Sequence, residues 1–142
     1  MKPTIRVMTM DDFDAVLALW QSTEGVGLNE MDSRENISRF LVRNDGLSFV
    51  VLDESGNIIG AMLGGTDGRR GYLHHLAVAK DYRGQGLGRQ LVETCLKALK
   101  AQGIKRCSIF VYANNVAGQS FWKHLGWSAC PELLIMRKQT GA

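Results

Sequence analysis

Hydrophobic and polar positions change their period several times along the chain, and each change predicts a new element. Four apolar runs bounded by turn residues have the length of strands: Thr4–Met8, Leu47–Leu52, Ile58–Gly64 and Leu73–Val78. Cys107–Tyr112 alternates and is rich in β-forming residues, and we expect Leu133–Arg137 to be a closing strand. Gly64–Gly68 is predicted to be a tight turn that leads into Leu73–Val78.

Between these runs, apolar residues recur at helical spacing. The first predicted helix follows a capping-box variant at Thr9–Asp12, and the second covers about Ser33–Arg43. The third carries a continuous apolar stripe on one face: Leu87, Leu91, Val92, Cys95, Leu96 and Leu99. A short fourth helix is capped by Asn115 and closes at Gly126. The chain of 142 residues therefore predicts a mixed α/β fold in one domain, residues 1–142.

A glycine-rich segment, Arg83–Gly88, joins the strand Leu73–Val78 and its polar turn to the third helix. Such a loop cradles phosphate, because glycines let the backbone approach an anion and the helix N-terminus presents free N–H groups. The segment lacks the Lys-Ser or Lys-Thr of a P-loop. It also lacks the Gly-x-Gly-x-x-Gly spacing and the later acidic residue of a dinucleotide fold. What remains is the pattern Arg-x-x-Gly-x-Gly.

This pattern resembles the acetyl-CoA pyrophosphate loop of the GNAT N-acetyltransferases. Asn115–Trp127 resembles the second signature of that family, Asn-x-x-Ala-x-x-(aromatic or aliphatic)-Tyr-x-x-x-Gly-Phe, with Gly118 at the alanine position. The two motifs occur in the family's order and at its usual separation, and the resemblance extends over nearly the whole chain. It implies the GNAT fold, a central mixed and splayed sheet of about six to seven strands flanked by about four helices.

The resemblance also implies an activity: acetyl-CoA-dependent transfer of an acetyl group to a primary amine by direct attack in a ternary complex. The acceptor amine belongs to a small molecule, a peptide or a protein, acetyl-CoA is the co-substrate, and no metal takes part. In this family the strand before the loop has free N–H groups that contact pantetheine, and one near Leu76 stabilises the oxyanion. The resemblance assigns cofactor binding to Leu76, Ala77, Val78, Arg83, Gly84, Gln85, Gly86, Leu87, Gly88, Arg89, Asn115 and Trp122.

Two adjacent histidines on the strand before the loop are candidates for the proton acceptor. Alternation along a strand puts Tyr72 and His74 on one face and His75, with Leu73, on the other. His74 matches a position where some amine acetyltransferases carry a histidine that acts through water, and Tyr72 can help to hold that water. The catalytic prediction is therefore His74, Tyr72 and Leu76. A hydrogen-bonded structural role for His74, with bulk water as the base, stays open.

Trp122 departs from the family pattern, because many members carry a tyrosine there that is assigned as the general acid for the CoA thiolate. An indole N–H does not titrate in the useful range. A second hypothesis therefore stays open: a catalytically silent acyl-CoA-binding or sensor module with the same fold. Thiol release in the presence of a panel of amines discriminates the two.

Charge and composition narrow the function classes. The net charge is +3 and basic residues are not clustered, so we expect no nucleic-acid partner. No apolar stretch approaches 18 residues and the N-terminus lacks a signal-peptide core, so we expect a cytoplasmic protein without a membrane partner. Three cysteines without metal-ligand spacing indicate reduced thiols. The oligomeric state, monomer or homodimer, stays open.

Overall fold

The computed structural model describes residues 2–141, and the chain divides into two compact units at Phe110 and Val111. The first unit contains eight strands and helices: β1 (Thr4–Val7), α1 (Phe13–Gln21), α2 (Arg34–Arg43), β2 (Phe49–Leu52), β3 (Ile58–Thr66), β4 (Gly71–Val78), α3 (Leu87–Ala101) and β5 (Cys107–Ile109). The second unit contains α4 (Val116–His124). A single domain over residues 1–142 stays a prediction.

The sheet has the order β1-β2-β3-β4-β5, in which the first four strands are antiparallel neighbours and β5 runs parallel to β4. A mixed sheet with four helices confirms the predicted fold class. The number of strands in the described part is five, however, and not six or seven. The difference arises at residues 133–137, which form no strand in the described part of the chain.

The predicted closing strand, Leu133–Arg137, does not form a strand in the second unit. Leu134 and Met136 are 88% and 91% exposed. The run Leu133–Met136 is apolar at every position and lacks the period-two alternation that places one face of a strand on a core. Local β-propensity therefore does not suffice here without a paired neighbour.

The predicted turn at Gly64–Gly68 lies further along the chain, because β3 continues to Thr66. The turn instead covers residues 67–70, where Asp67 Oδ1 accepts the backbone N–H groups of Arg69 and Arg70 at 2.8 and 3.0 Å. Gly64 is required for a close approach inside the strand, since a Cβ there would collide with the carbonyl oxygen of Leu47. Gly64, which the sequence places in a predicted turn, is thus a strand residue that allows close packing.

The helices cover opposite faces of the sheet. An added Cβ at Gly60 would meet Leu91 of α3, whereas one at Gly65 would meet Phe40 of α2. These positions are five residues apart in β3 and so point to opposite faces. On the α1 and α2 face, the core joins residues from both helices to the centre of the sheet: Phe13, Val16, Trp20, Ile37, Val50, Ala61, Leu63 and Ala77. The predicted apolar stripe of α3 is confirmed, and five of its six residues are buried.

Candidate functional site

The centre of β4 carries an irregularity that the alternation of residues does not predict. Leu63 pairs with His74 and Ala61 with Ala77, so two residues of β4 lie opposite one residue of β3. His75 has a φ of 55°, in the left-handed region. The extra residue is a β-bulge, which shifts the alternation of side chains by one position.

The bulge corrects the predicted placement of His75. Its ring lies 5.0 Å from that of Trp20 in α1, and its Nε2 lies 2.8 Å from Oδ1 of Asp32. His74 faces α2, where its ring centroid is 6.1 Å from that of Phe40. Both histidines therefore lie on the α1 and α2 side of the sheet, and the prediction of opposite faces is wrong.

Aromatic rings surround His74. Those of Tyr72 and Phe110 lie nearly parallel to the imidazole, with centroids 6.4 and 6.3 Å away, so Tyr72 and His74 share a face as predicted. Phe40 meets the imidazole edge-on. Phe110 is 58% exposed, so this aromatic cluster reaches the surface. A small apolar wall next to an imidazole suits the alkyl or aryl part of an amine.

Burial lowers the pKa of His74, because desolvation disfavours the imidazolium. The charge of His75 lowers it further, and the carboxylate of Asp32 acts in the opposite direction. His74 is therefore neutral at neutral pH and has a free lone pair. A neutral imidazole can accept a proton, so the position of His74 is chemically suited to the predicted base role.

The sheet opens next to these histidines. The pairing of β5 with β4 covers Gly71, Tyr72 and Leu73, and β4 then continues to Val78 without that neighbour. The segment 74–78 therefore has one edge outside the β4–β5 ladder, as the predicted splay requires. Ala77 is 2% exposed and belongs to the core, so any contact it makes with a cofactor is through its backbone. Leu76 and Val78 are half-buried.

The glycine-rich loop leads directly into α3. Gly84 and Gly86 have φ values of 80° and 81°, and a Cβ added at either would point into open space. Gly86 is the N-cap residue, and Gln90 N–H is bonded to its carbonyl at 3.0 Å. The N–H groups of the first turn, from Leu87 to Arg89, have no partner within the helix and carry the positive end of its dipole. The loop fits a phosphate group.

The two arginines of the loop are differently engaged. Arg83 Nε donates to the carbonyl oxygen of Val78 at 2.9 Å, which ties the loop to the end of β4. Arg89 Nε lies 3.3 Å from Glu93 one turn later in α3. Gln85 is exposed and Leu87 is buried, so the Leu87 side chain anchors α3 to the core. The groups that could hold a phosphate here are therefore chiefly backbone N–H groups.

The second unit contains the cap of α4 and a cluster of aromatic rings. Asn115 Oδ1 accepts the backbone N–H of Gly118 at 2.9 Å and caps α4, as predicted. A Cβ at position 118 would lie within 3 Å of the Asn115 side chain, so an alanine there requires that side chain to shift. Trp122 is half-buried and packs edge-on against Phe121 and Trp127, with ring centroids 5.3 and 5.0 Å away.

The sequence does not predict three of the residues that lie next to the histidines. Phe40 lies in α2, Phe110 follows β5, and Asp32 precedes α2. No local pattern joins residues 32 and 75, because their pairing requires the bulge and the packing of the loop on β4.

None of the helices in residues 2–141 has the length and apolar character of a membrane span. The same stretch contains no group of three or more His, Cys, Asp or Glu side chains arranged to bind a metal ion. The three cysteines are free thiols, and burial raises the pKa of Cys95 to about 12 and that of Cys107 to about 11. These two thiols are unreactive at neutral pH.

Known proteins resemble this chain over most of its length. The model of the acetyltransferase (GNAT) family matches residues 13–127. An acetyltransferase from Sodalis glossinidius (strain morsitans) is 32% identical over 135 residues, which cover 95% of this chain and 94% of that protein.

Two solved structures share the fold. The PaiA N-acetyltransferase from Thermoplasma acidophilum, in complex with coenzyme A, has a TM-score of 0.77 at 20% identity and covers 88% of this chain and 89% of its own. The ribosomal-protein-S18-alanine N-acetyltransferase from Escherichia coli has a TM-score of 0.73 at 24% identity, over 88% of this chain and 77% of its own. Since the family model and a relative of 32% identity both cover most of the sequence, this chain belongs to the GNAT acetyltransferase family.

Proposed function

We propose that this protein transfers an acetyl group from acetyl-CoA to a primary amine of a small molecule, peptide or protein, by direct attack in a ternary complex. One observation carries the proposal. Strand β4 extends beyond its pairing with β5 and carries two histidines on one face. It is followed by a glycine loop with left-handed backbone at the N-terminus of α3. Family membership and the coenzyme A complex of the Thermoplasma relative support this assignment.

Acetyl-CoA would supply a thioester, whose carbonyl carbon is the electrophile. The backbone N–H groups from Gly84 to Arg89 are proposed to hold its pyrophosphate, with Arg83 fixing the loop to β4. The open edge of Leu76–Val78 is proposed to contact the pantetheine arm through backbone groups. Asn115 and Trp122 are proposed to contribute to cofactor binding, as the family resemblance implies.

The proton of the amine needs an acceptor, since an alkyl ammonium has no lone pair with which to attack. His74 is proposed to take this proton, directly or through one water, with Tyr72 beside it. Burial keeps its imidazole neutral at neutral pH, because it lowers the pKa of His74. The aromatic wall of Phe40, Tyr72 and Phe110 is proposed to receive the apolar part of the acceptor.

The tetrahedral oxyanion needs a hydrogen-bond donor. The backbone N–H of Leu76 lies in the segment of β4 beyond the β5 ladder, and we propose that it provides this bond. Such preorganised donors typically lower the activation barrier by about 3 kcal/mol. A cytoplasmic location is part of the proposal, because three free cysteines suit a reducing compartment.

The experiment is thiol release from acetyl-CoA with a panel of amines that includes polyamines, amino acids, arylalkylamines and peptides with free N-termini. We expect release above the rate of hydrolysis with at least one acceptor class, and an acetylated product by mass spectrometry. Calorimetric titration with acetyl-CoA on the same preparation is the control for binding. Tight binding without transfer to any amine would support the silent module instead.

A further inference from the structure

The backbone at His75 is held in an unfavourable conformation. Among residues 2–141, His75 is the non-glycine residue with a positive φ, 55°. For an L-residue this costs about 1–2 kcal/mol, so the surrounding structure must hold it there. Trp20 Nε1 donates to its carbonyl oxygen at 2.9 Å, and Asp32 binds its ring at 2.8 Å. Strain of this kind is concentrated at functional sites.

Two hydrogen bonds, one to each carboxylate oxygen, hold the side chain of Asp32 in place. Its Oδ1 faces His75 Nε2, and its Oδ2 accepts the backbone N–H of Asn29 at 3.2 Å. The side chains of His75 and Asp32 are only 19% and 12% exposed. A carboxylate can only accept, so Nε2 carries the hydrogen of this bond and Nδ1 is the nitrogen that can gain a proton. Catalytic Asp–His pairs use the same division of roles.

The two histidines differ in their surroundings. His75 has a carboxylate at 2.8 Å, whereas His74 is enclosed by uncharged rings. Their ring centroids are 6.5 Å apart, and the two rings meet edge-on. The groups that face them from the packed elements are Trp20 of α1, Phe40 of α2, Asp32 of the loop, and Tyr72 and Phe110 beside β4. Among these side chains, Asp32 carries the carboxylate.

We propose that Asp32 and His75 form a positioning pair that receives, through His74, the proton released by the acceptor amine. This inference rests on the proposed function. Two protons leave the ammonium nitrogen when it becomes an amide, and one of them ends on the leaving sulfur. The other passes from nitrogen to His74 and through water to His75 Nδ1, where Asp32 stabilises the imidazolium, and then leaves to solvent. His74 is neutral again for the next step.

The competing role of the pair is a structural tether between the loop and β4. The matched variants are Asp32→Asn, which removes the charge of the pair, and Asn29→Ala, which removes a cap of the same loop. Asn29 Oδ1 accepts the backbone N–H of Met31 at 2.8 Å and does not touch the histidines. His75→Asn is the third variant, because asparagine tolerates a left-handed backbone but cannot take the proton.

The first measurement is the pH profile of kcat from pH 6 to 10 with an acceptor found in the amine panel. At pH 7, Asp32→Asn and His75→Asn are expected to lower kcat roughly 10–10²-fold, with the affinity for acetyl-CoA unchanged. The deficit shrinks towards pH 10, as free amine becomes abundant at its pKa of about 10.4. Asn29→Ala should follow the wild-type profile. Equal, pH-independent losses in Asn29→Ala and Asp32→Asn would reduce the pair to a tether and overturn the proposal.

The second measurement needs no turnover. NMR titration of His74 should show a higher pKa in His75→Asn than in the wild type, because the charge of His75 lowers the pKa of His74. An unchanged titration would overturn the coupling. If the wild type acetylates an amine but Asp32→Asn and His75→Asn match its rate, the proposed role of Asp32 and His75 in proton transfer is refuted and the proposed function stands. If the wild type binds acetyl-CoA and acetylates nothing, both fail.

Discussion

Replacing Gly86 by aspartate tests whether the glycine loop binds the pyrophosphate of acetyl-CoA. Gly86 has a φ of 81°, and nothing lies within 4 Å of a Cβ added there. The new carboxylate is therefore placed at the N-cap of α3 without displacing another group. We expect a folded protein that binds acetyl-CoA much more weakly than the wild type.

The size of the effect follows from the charge. A carboxylate about 5 Å from a phosphate charge, at an effective dielectric constant of about 20, is repelled by about 3 kcal/mol. That energy corresponds to a rise in Kd of roughly 100-fold. The left-handed backbone costs an L-residue about 1–2 kcal/mol in stability, which urea denaturation measures separately from binding.

Gly56→Asp is the matched control. Gly56 lies in the turn between β2 and β3 with a φ of 84°, and it too has nothing within 4 Å of an added Cβ. The two variants therefore introduce the same residue into the same backbone conformation, but only one touches the proposed cradle. Calorimetry should find weaker binding in Gly86→Asp alone. Wild-type affinity in a folded Gly86→Asp, or an equal loss in Gly56→Asp, would refute the reasoning.

Three further outcomes test other parts of the molecule. His74→Gln should lower turnover roughly 10–10³-fold at neutral pH and leave acetyl-CoA affinity unchanged; a wild-type rate from pH 6 to 9 would remove the base role. Trp122→Phe should keep most activity, and a loss above about 100-fold would contradict that expectation. Asp12→Asn should lower the free energy of unfolding by about 1–3 kcal/mol in urea denaturation, because it breaks the bidentate pair with Arg6. Arg6 lowers the pKa of Asp12, so the wild-type advantage is complete at neutral pH and disappears as the carboxylate is protonated on acidification.

Local signals in the sequence were sufficient to locate the glycine-rich loop and the helix that follows it. The arginine, the alternating glycines and the periodic helix after them lie within one stretch, residues 83–99, and depend on neighbours only a few positions away. A left-handed N-cap at Gly86 and a buried stripe on α3 followed directly. Period-two alternation also placed Tyr72 and His74 on one face correctly, because the strand is regular up to that point.

The tertiary structure determined the direction of the His75 side chain and its contacts. The bulge arises from how β4 pairs with β3, and it turns His75 towards Trp20 and Asp32. Asp32 is 43 positions away in the sequence, so no local pattern could join the two. The missing closing strand has the same origin, since an apolar run becomes a strand only where a neighbour completes its hydrogen bonds. Short-range propensities thus determined the loop and the helices, whereas pairing between distant segments determined which side chains share the site.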